Sequence, residues 1–175
     1  NHFKINNQLV NESYGKGVNE KSFIELVTQR IKFFKNFNFN RWKQHQVKDE
    51  FSQPIFLIGF PRSGTTLLDT ILRTNQSIEV IEEKPVLRNF LRNLNIKIKN
   101  NFNHLDNLEE KFIQNMQNVY FEEREQYLEN KKTKTVIDKM PLNIIHIAEI
   151  LRFFPNAKFI FALRNPYDSI LSCFM

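Results

Sequence analysis

Apolar positions along this chain fall into two kinds of run. Ile55-Phe56-Leu57-Ile58 and Phe159-Ile160-Phe161-Ala162-Leu163 are short and continuous, the pattern of strands buried on both faces. Residues 77–81 and 134–138 read as two more strands of the same kind. Between these runs the apolar positions return at helical spacing over residues 65–73, 85–98, 108–128 and 142–153, and from Pro166 onward. Pro85, Pro141 and Pro166 fall in the first turn of three of these helices, where a fixed φ and a missing N–H cost nothing. Upstream, Phe23, Leu26, Val27, Ile31 and Phe34 form one stripe behind Ser22 as an N-cap, which predicts a packing helix. Strands alternating with helices imply an α/β fold, three layers (α/β/α) around a central parallel sheet, preceded by N-terminal helices. The expected division is a helical segment over residues 1–52 and an α/β domain over 53–175.

Composition narrows the partners. The chain has 175 residues, 41% hydrophobic and 25% charged, enough for one ordinary globular core. Its 18 phenylalanines read as a compositional bias rather than a functional signal. A net charge of +6 and a pI near 9.4 favour an anionic partner. The basic residues are interspersed with acidic ones, with no run of five, and no nucleic-acid signature appears, so nucleic acid is not expected. Cys173 is the only cysteine, which excludes an intrachain disulfide and a thiolate zinc site and fits a reducing compartment, the cytoplasm. No stretch approaches the ~18 apolar residues of a membrane span, and no signal-peptide pattern opens the chain. The start at Asn1 and the stop at Met175, inside a predicted helix, suggest a fragment truncated at its C-terminal end.

The chemistry concentrates at Gly59-Phe60-Pro61-Arg62-Ser63-Gly64-Thr65-Thr66, between a predicted strand and a predicted helix. That order presents backbone N–H groups and a helix N-terminus to an anion. A nucleoside triphosphatase loop would carry Lys after its second glycine; here Thr65 stands there, and the basic residue is Arg62 inside the loop. A second motif runs from the strand at Phe159 through Arg164-Asn165-Pro166 to Ser172. Arg164 can fork onto a phosphate dianion, and Ser172 can donate to it from the helix.

Pro61-Arg62-Ser63-Gly64-Thr65-Thr66-Leu67 resembles the 5′-phosphosulfate motif of sulfotransferases, and the stretch from Phe159 to Ser172 resembles their 3′-phosphate motif. The Arg form is similar to tyrosylprotein sulfotransferases and to bacterial tetratricopeptide-containing relatives. The resemblance covers residues 54–175. It implies 3′-phosphoadenosine 5′-phosphosulfate (PAPS) as donor, held by Pro61, Arg62, Ser63, Gly64, Thr65, Thr66, Arg164 and Ser172, with no metal. The acceptor would be a hydroxyl on a protein, glycan, lipid or small molecule. A eukaryotic relative would work in the Golgi lumen. Lys84-Pro85 stands where the tyrosylprotein branch has Thr-Arg, and Asn165-Pro166 replaces Asp-Gly, which leans toward the bacterial relatives.

In-line sulfuryl transfer needs a base for the acceptor hydroxyl. By the resemblance Glu83 is that base, preceded by Glu82, and Lys139 stabilises the departing phosphate alongside Arg62. Asp138 is expected to orient Lys139 or Arg62. His104 and His146 read as structural. Two other readings stay open: a P-loop kinase or nucleoside triphosphatase, and a non-catalytic nucleotide-binding scaffold module. A chain ending before the rest of the acceptor site would turn over poorly.

Overall fold

Four parallel strands carry the fold: β1 (Ile55–Gly59), β2 (Ile78–Glu82), β3 (Thr135–Lys139) and β4 (Lys158–Ala162), in the order β2-β3-β1-β4. The computed structural model describes residues 20–39, 42, 53–129 and 135–175. β1 pairs with β3 from Ile55 opposite Ile137 to Leu57 opposite Lys139, and with β4 from Ile55 opposite Lys158 to Gly59 opposite Ala162. β2 runs along β3 from Ile78 opposite Thr135 to Glu82 opposite Lys139. All four strands therefore end together, on one rim of the sheet.

Successive side chains of β1 point to opposite faces. Phe56 enters an aromatic cluster with Tyr120 at 5.8 Å, and Tyr120 meets Phe154 at 5.1 Å. Leu57 packs on the other face with Val80, Ile137 and the helix residues Leu68 and Leu72. Helices thus cover both faces, as the continuous apolar strands require. Phe56, Phe90, Phe121, Phe153 and Phe154 are fully buried. Phenylalanine, read from the sequence as bias, builds much of the core.

Helix α1 (Glu20–Phe34) lies in a unit of its own, because packing divides the chain into Asn1–Phe37 and Asn38–Met175. Ser22 falls inside α1 rather than ahead of it, since the helix begins at Glu20. In the larger unit, Trp42 donates its indole N–H to Asp106 at 2.6 Å. Helices α2 (Thr65–Leu72), α3 (Val86–Ile98), α4 (Glu110–Glu125), α5 (Ile147–Phe153) and α6 (Pro166–Phe174) follow the strands. In α3, Val86, Leu87, Phe90, Leu94 and Ile98 are buried, the stripe that its spacing predicts.

Two stretches differ from the sequence expectation. The helix expected over 142–153 is a 3-10 segment, Pro141–His146, before α5 begins. The break falls at His146, which leaves helical geometry at φ −110° and ψ 10°. A further 3-10 segment, Phe102–Asn107, occupies what read as a polar connection. Asn101 nucleates it by accepting from the N–H of Asn103 at 3.0 Å, a local bond that Asn makes readily. Among the described residues no helix is long and apolar enough to cross a membrane.

Candidate functional site

Gly59 ends β1, and five residues turn the chain into α2. A Cβ at Gly59 would lie 2.7 Å from the Ser63 hydroxyl and 2.8 Å from the Ala162 carbonyl, so the loop can close against β4 only with glycine there. The Ser63 N–H donates to the Phe60 carbonyl at 3.1 Å and fixes the turn. Arg62 at φ 66° and Gly64 at φ 94° both adopt left-handed backbone. Glycine does so freely, whereas a residue with a side chain pays roughly 1–3 kcal/mol, a strain that persists where the surroundings enforce it. Gly64 is also the N-cap of α2; no side chain caps that end, and no acid stands in its first turn. The first N–H groups of α2 and the positive end of its dipole are left for an anion.

Arg164 follows β4. Its guanidinium donates to the Arg62 carbonyl at 3.0 Å, and Arg62 Nε donates to Ser172 Oγ at 3.1 Å. The two sequence motifs, 102 and 110 residues apart at these contacts, hold one another directly. The N-terminus of α6 is closed differently: the Asn165 side chain accepts from the Tyr167 N–H at 2.9 Å, and Pro166 opens the helix. This gives Asn165-Pro166 a structural role of its own.

The acidic pair stands at the end of β2. Glu82 faces Lys139 in register, and Glu83 breaks into left-handed backbone at φ 49°. The Glu83 N–H donates to the Lys139 carbonyl at 2.7 Å. Lys139 Nζ donates to Glu82 Oε1 at 2.9 Å and to Glu83 Oε1 at 3.0 Å. The Lys139 side chain is wholly buried, while those of Glu82 and Glu83 are about half exposed at 49% and 56%. Burial works against the Lys139 charge, but the bonds to Glu82 and Glu83 outweigh it and raise the ammonium pKa. The hydrogen bond from Lys139, then its charge, with smaller help from Arg73 and Lys84, holds the Glu82 carboxyl below its ordinary range.

These groups border a cavity of about 420 Å³. Of the residues singled out from the sequence, Pro61, Arg62, Gly64, Thr65, Thr66, Glu83, Arg164 and Ser172 line it. Ser63 and Lys139 are not among the lining residues: the Ser63 hydroxyl is buried without a hydrogen-bond partner, and Lys139 is covered by its two carboxylates. Met140, Pro141 and Leu142 complete the wall and went unassigned in the sequence. Asp138 does not orient Lys139 or Arg62. Alternation along β3 turns it to the opposite face, where burial drives its pKa up to about 7 against the opposing effects of Tyr120 and Arg124. His104 bonds the Ile98 carbonyl at 2.9 Å through its ring, and neither it nor His146 lines the cavity.

Asp69 and Arg73 also went unassigned. Arg73 Nε pairs with buried Asp69 at 2.5 Å, and its Nη2 donates to the Val80 carbonyl at 2.7 Å and stands 3.9 Å from Glu82 Oε2. The signal available in the sequence was their four-residue spacing on α2.

A strand–loop–helix turn with an uncapped helix end, two arginines from separate motifs and a carboxylate thus share one rim of a parallel α/β sheet. The family model of the sulfotransferases matches residues 54–175, more than half of the sequence, and the chain belongs to that family. An uncharacterized protein of Aquifex aeolicus (strain VF5) is 29% identical over 127 residues, which is 69% of this chain and 16% of that protein. The crystal structure of sulfotransferase STF9 from Mycobacterium avium aligns with a TM-score of 0.41 at 15% identity, over 85% of this chain and 50% of that one. The chain therefore spans half or less of the length of these two relatives.

Proposed function

We propose that the chain binds PAPS in the rim cavity and transfers its sulfuryl group to an acceptor hydroxyl. The observation that carries this reading is the meeting of both phosphate motifs and Glu83 on one cavity, with Arg62 touching Ser172 and Arg164 touching Arg62. The residues fit the donor: the uncapped end of α2, with Thr65 and Thr66, suits the phosphosulfate oxygens, and Arg164 with Ser172 suits the 3′-phosphate.

In the reaction the acceptor oxygen attacks sulfur while the bond from sulfur to the 5′-phosphate oxygen breaks. The electron pair leaves with adenosine 3′,5′-bisphosphate. Glu83 takes the hydroxyl proton as the new S–O bond forms. Arg62 neutralises the charge that grows on the bridging oxygen, a role for a positioned cation in a preorganised site. Lys139 lies immediately beneath Glu83 and stabilises the leaving phosphate with its charge from that position. Binding of the 3′-phosphate likewise replaces the contact between Arg62 and Ser172.

Glu83→Gln separates base from binder. With 4-nitrophenol as acceptor, kcat is expected to fall about 10²–10⁴-fold, while adenosine 3′,5′-bisphosphate affinity stays within about twofold. Undiminished transfer by Glu83→Gln would remove Glu83 from the chemistry.

A further inference from the structure

Two adjacent carboxylates share one buried ammonium, and a single base must be chosen between them. Glu82 and Glu83 each accept from Lys139, at 2.9 Å and 3.0 Å, so Lys139 alone treats them nearly alike. The difference is a second cation. Arg73 Nη2 stands 3.9 Å from Glu82 Oε2, whereas among the described residues Lys139 is the one cation within ion-pair distance of Glu83. Arg73 is itself held by two partners: Asp69 holds its Nε and lies 3.5 Å from its Nη2, and the Val80 carbonyl accepts from that same Nη2. Asp69 is buried, so the chain Asp69–Arg73–Glu82–Lys139–Glu83 runs from inside the fold to the cavity wall.

We propose that Arg73 is a positioning residue: by holding Glu82 on Lys139 it keeps that ammonium divided between two carboxylates, which leaves Glu83 free to take the acceptor's proton. The inference rests on the reading of Glu83 as base and names what selects it over its neighbour. The mechanism is electrostatic. If Glu82 became protonated, Lys139 would pair with Glu83 alone, stabilise its ionised form and make it a weaker proton acceptor. The Glu82 carboxyl is already held down, first by its hydrogen bond from Lys139 and then by charge, Arg73 included. A carboxyl lowered in this way stays ionised through neutral pH, and its contribution is lost only as pH falls through its depressed value. The charged groups around the pair are Lys84 on its own segment, Lys139 on β3, Asp69 on α2 and Arg73 at its C-cap, and Arg62 and Arg164 on the cavity wall. Glu129 acts on Arg73 through its charge.

The test is a carbon-13 carboxyl titration of Glu82 in the wild-type protein, Arg73→Gln and Arg73→Lys, followed by the pH profile of transfer to 4-nitrophenol. In Arg73→Gln the Glu82 titration moves up by a few tenths of a unit, as for a half-exposed ion pair, and kcat falls on the acid side at a correspondingly higher pH. The KM for PAPS stays within about twofold, and Arg73→Lys restores both. A Glu82 titration that does not move in folded Arg73→Gln overturns the proposal, as does a uniform loss of kcat without a shifted profile. Should Arg73→Gln fail to fold, Arg73→Lys and Glu82→Gln carry the test: Glu82→Gln must lower kcat several-fold at neutral pH, because Lys139 then belongs to Glu83 alone, and unchanged kcat contradicts the proposal. If Glu83 is not the base, Glu83→Gln retains transfer while the Glu82 titration still responds to Arg73, which tells the two failures apart.

Discussion

The N-termini of α2 and α6 sit side by side on the same rim and are built oppositely. Gly64 opens α2 with no side-chain cap, whereas Asn165 caps α6 through the Tyr167 N–H. In α2 no side chain of the cap residue takes up the first N–H groups, and no acid in the first turn offsets the dipole. In α6 the cap supplies an acceptor from the chain itself, so an anion near that motif has to be held by the side chains of Arg164 and Ser172. On the proposed reading, one helix end would bind through its backbone and the other would position side chains.

Stability depends on pH through a group outside the cavity wall, the buried Asp138 carboxyl. Below 3.8 the carboxyl is protonated whether folded or unfolded. From there to about 7 the folded protein keeps a proton that the unfolded chain has released, so stability falls as pH rises and levels off above about 7. At about 1.4 kcal/mol per unit the fall amounts to a few kcal/mol. Urea melts between pH 4 and 8 read it, and Asp138→Asn should flatten the slope.

Next in size is the side-chain end. Arg164→Ala is expected to lose about 1.5–3 kcal/mol of bisphosphate binding, roughly 10- to 150-fold, as for a charge-assisted bond, with melting changed little. At the backbone end, Gly64→Ala forces a side chain into left-handed geometry and costs about 1–2 kcal/mol of stability; space is no obstacle, since a Cβ there meets no atom within 4 Å. Smallest is Asn165→Ala, which removes the cap for about 1 kcal/mol and leaves bisphosphate affinity within about twofold. A tenfold loss of affinity in Asn165→Ala would erase the distinction between the two ends.

The strands were legible because a sheet covered on both faces demands continuous apolar runs, and Ile55–Gly59 and Lys158–Ala162 carry them. The residues of the two motifs were legible because Gly59, Arg62, Gly64 and Arg164 sit at element ends or in the short loops after them, and Ser172 lies at a fixed helical spacing beyond Arg164. What stayed hidden depends on tertiary approach. Burial of Lys139 beneath Glu82 and Glu83 follows from β2 lying against β3, a strand order that spacing along the chain does not contain. Arg73 joins the acidic pair only because α2 packs where its last turn meets Val80. The face to which Asp138 turns depends on register, which one residue of slip would reverse.

The most direct measurement is a calorimetric titration of the protein with adenosine 3′,5′-bisphosphate in metal-free buffer, compared with ATP plus magnesium and repeated on Arg164→Ala. The account predicts metal-free binding of the bisphosphate, tighter than that of ATP with magnesium and weakened at least tenfold in Arg164→Ala. Preference for ATP with magnesium, or bisphosphate binding indifferent to Arg164, would contradict it.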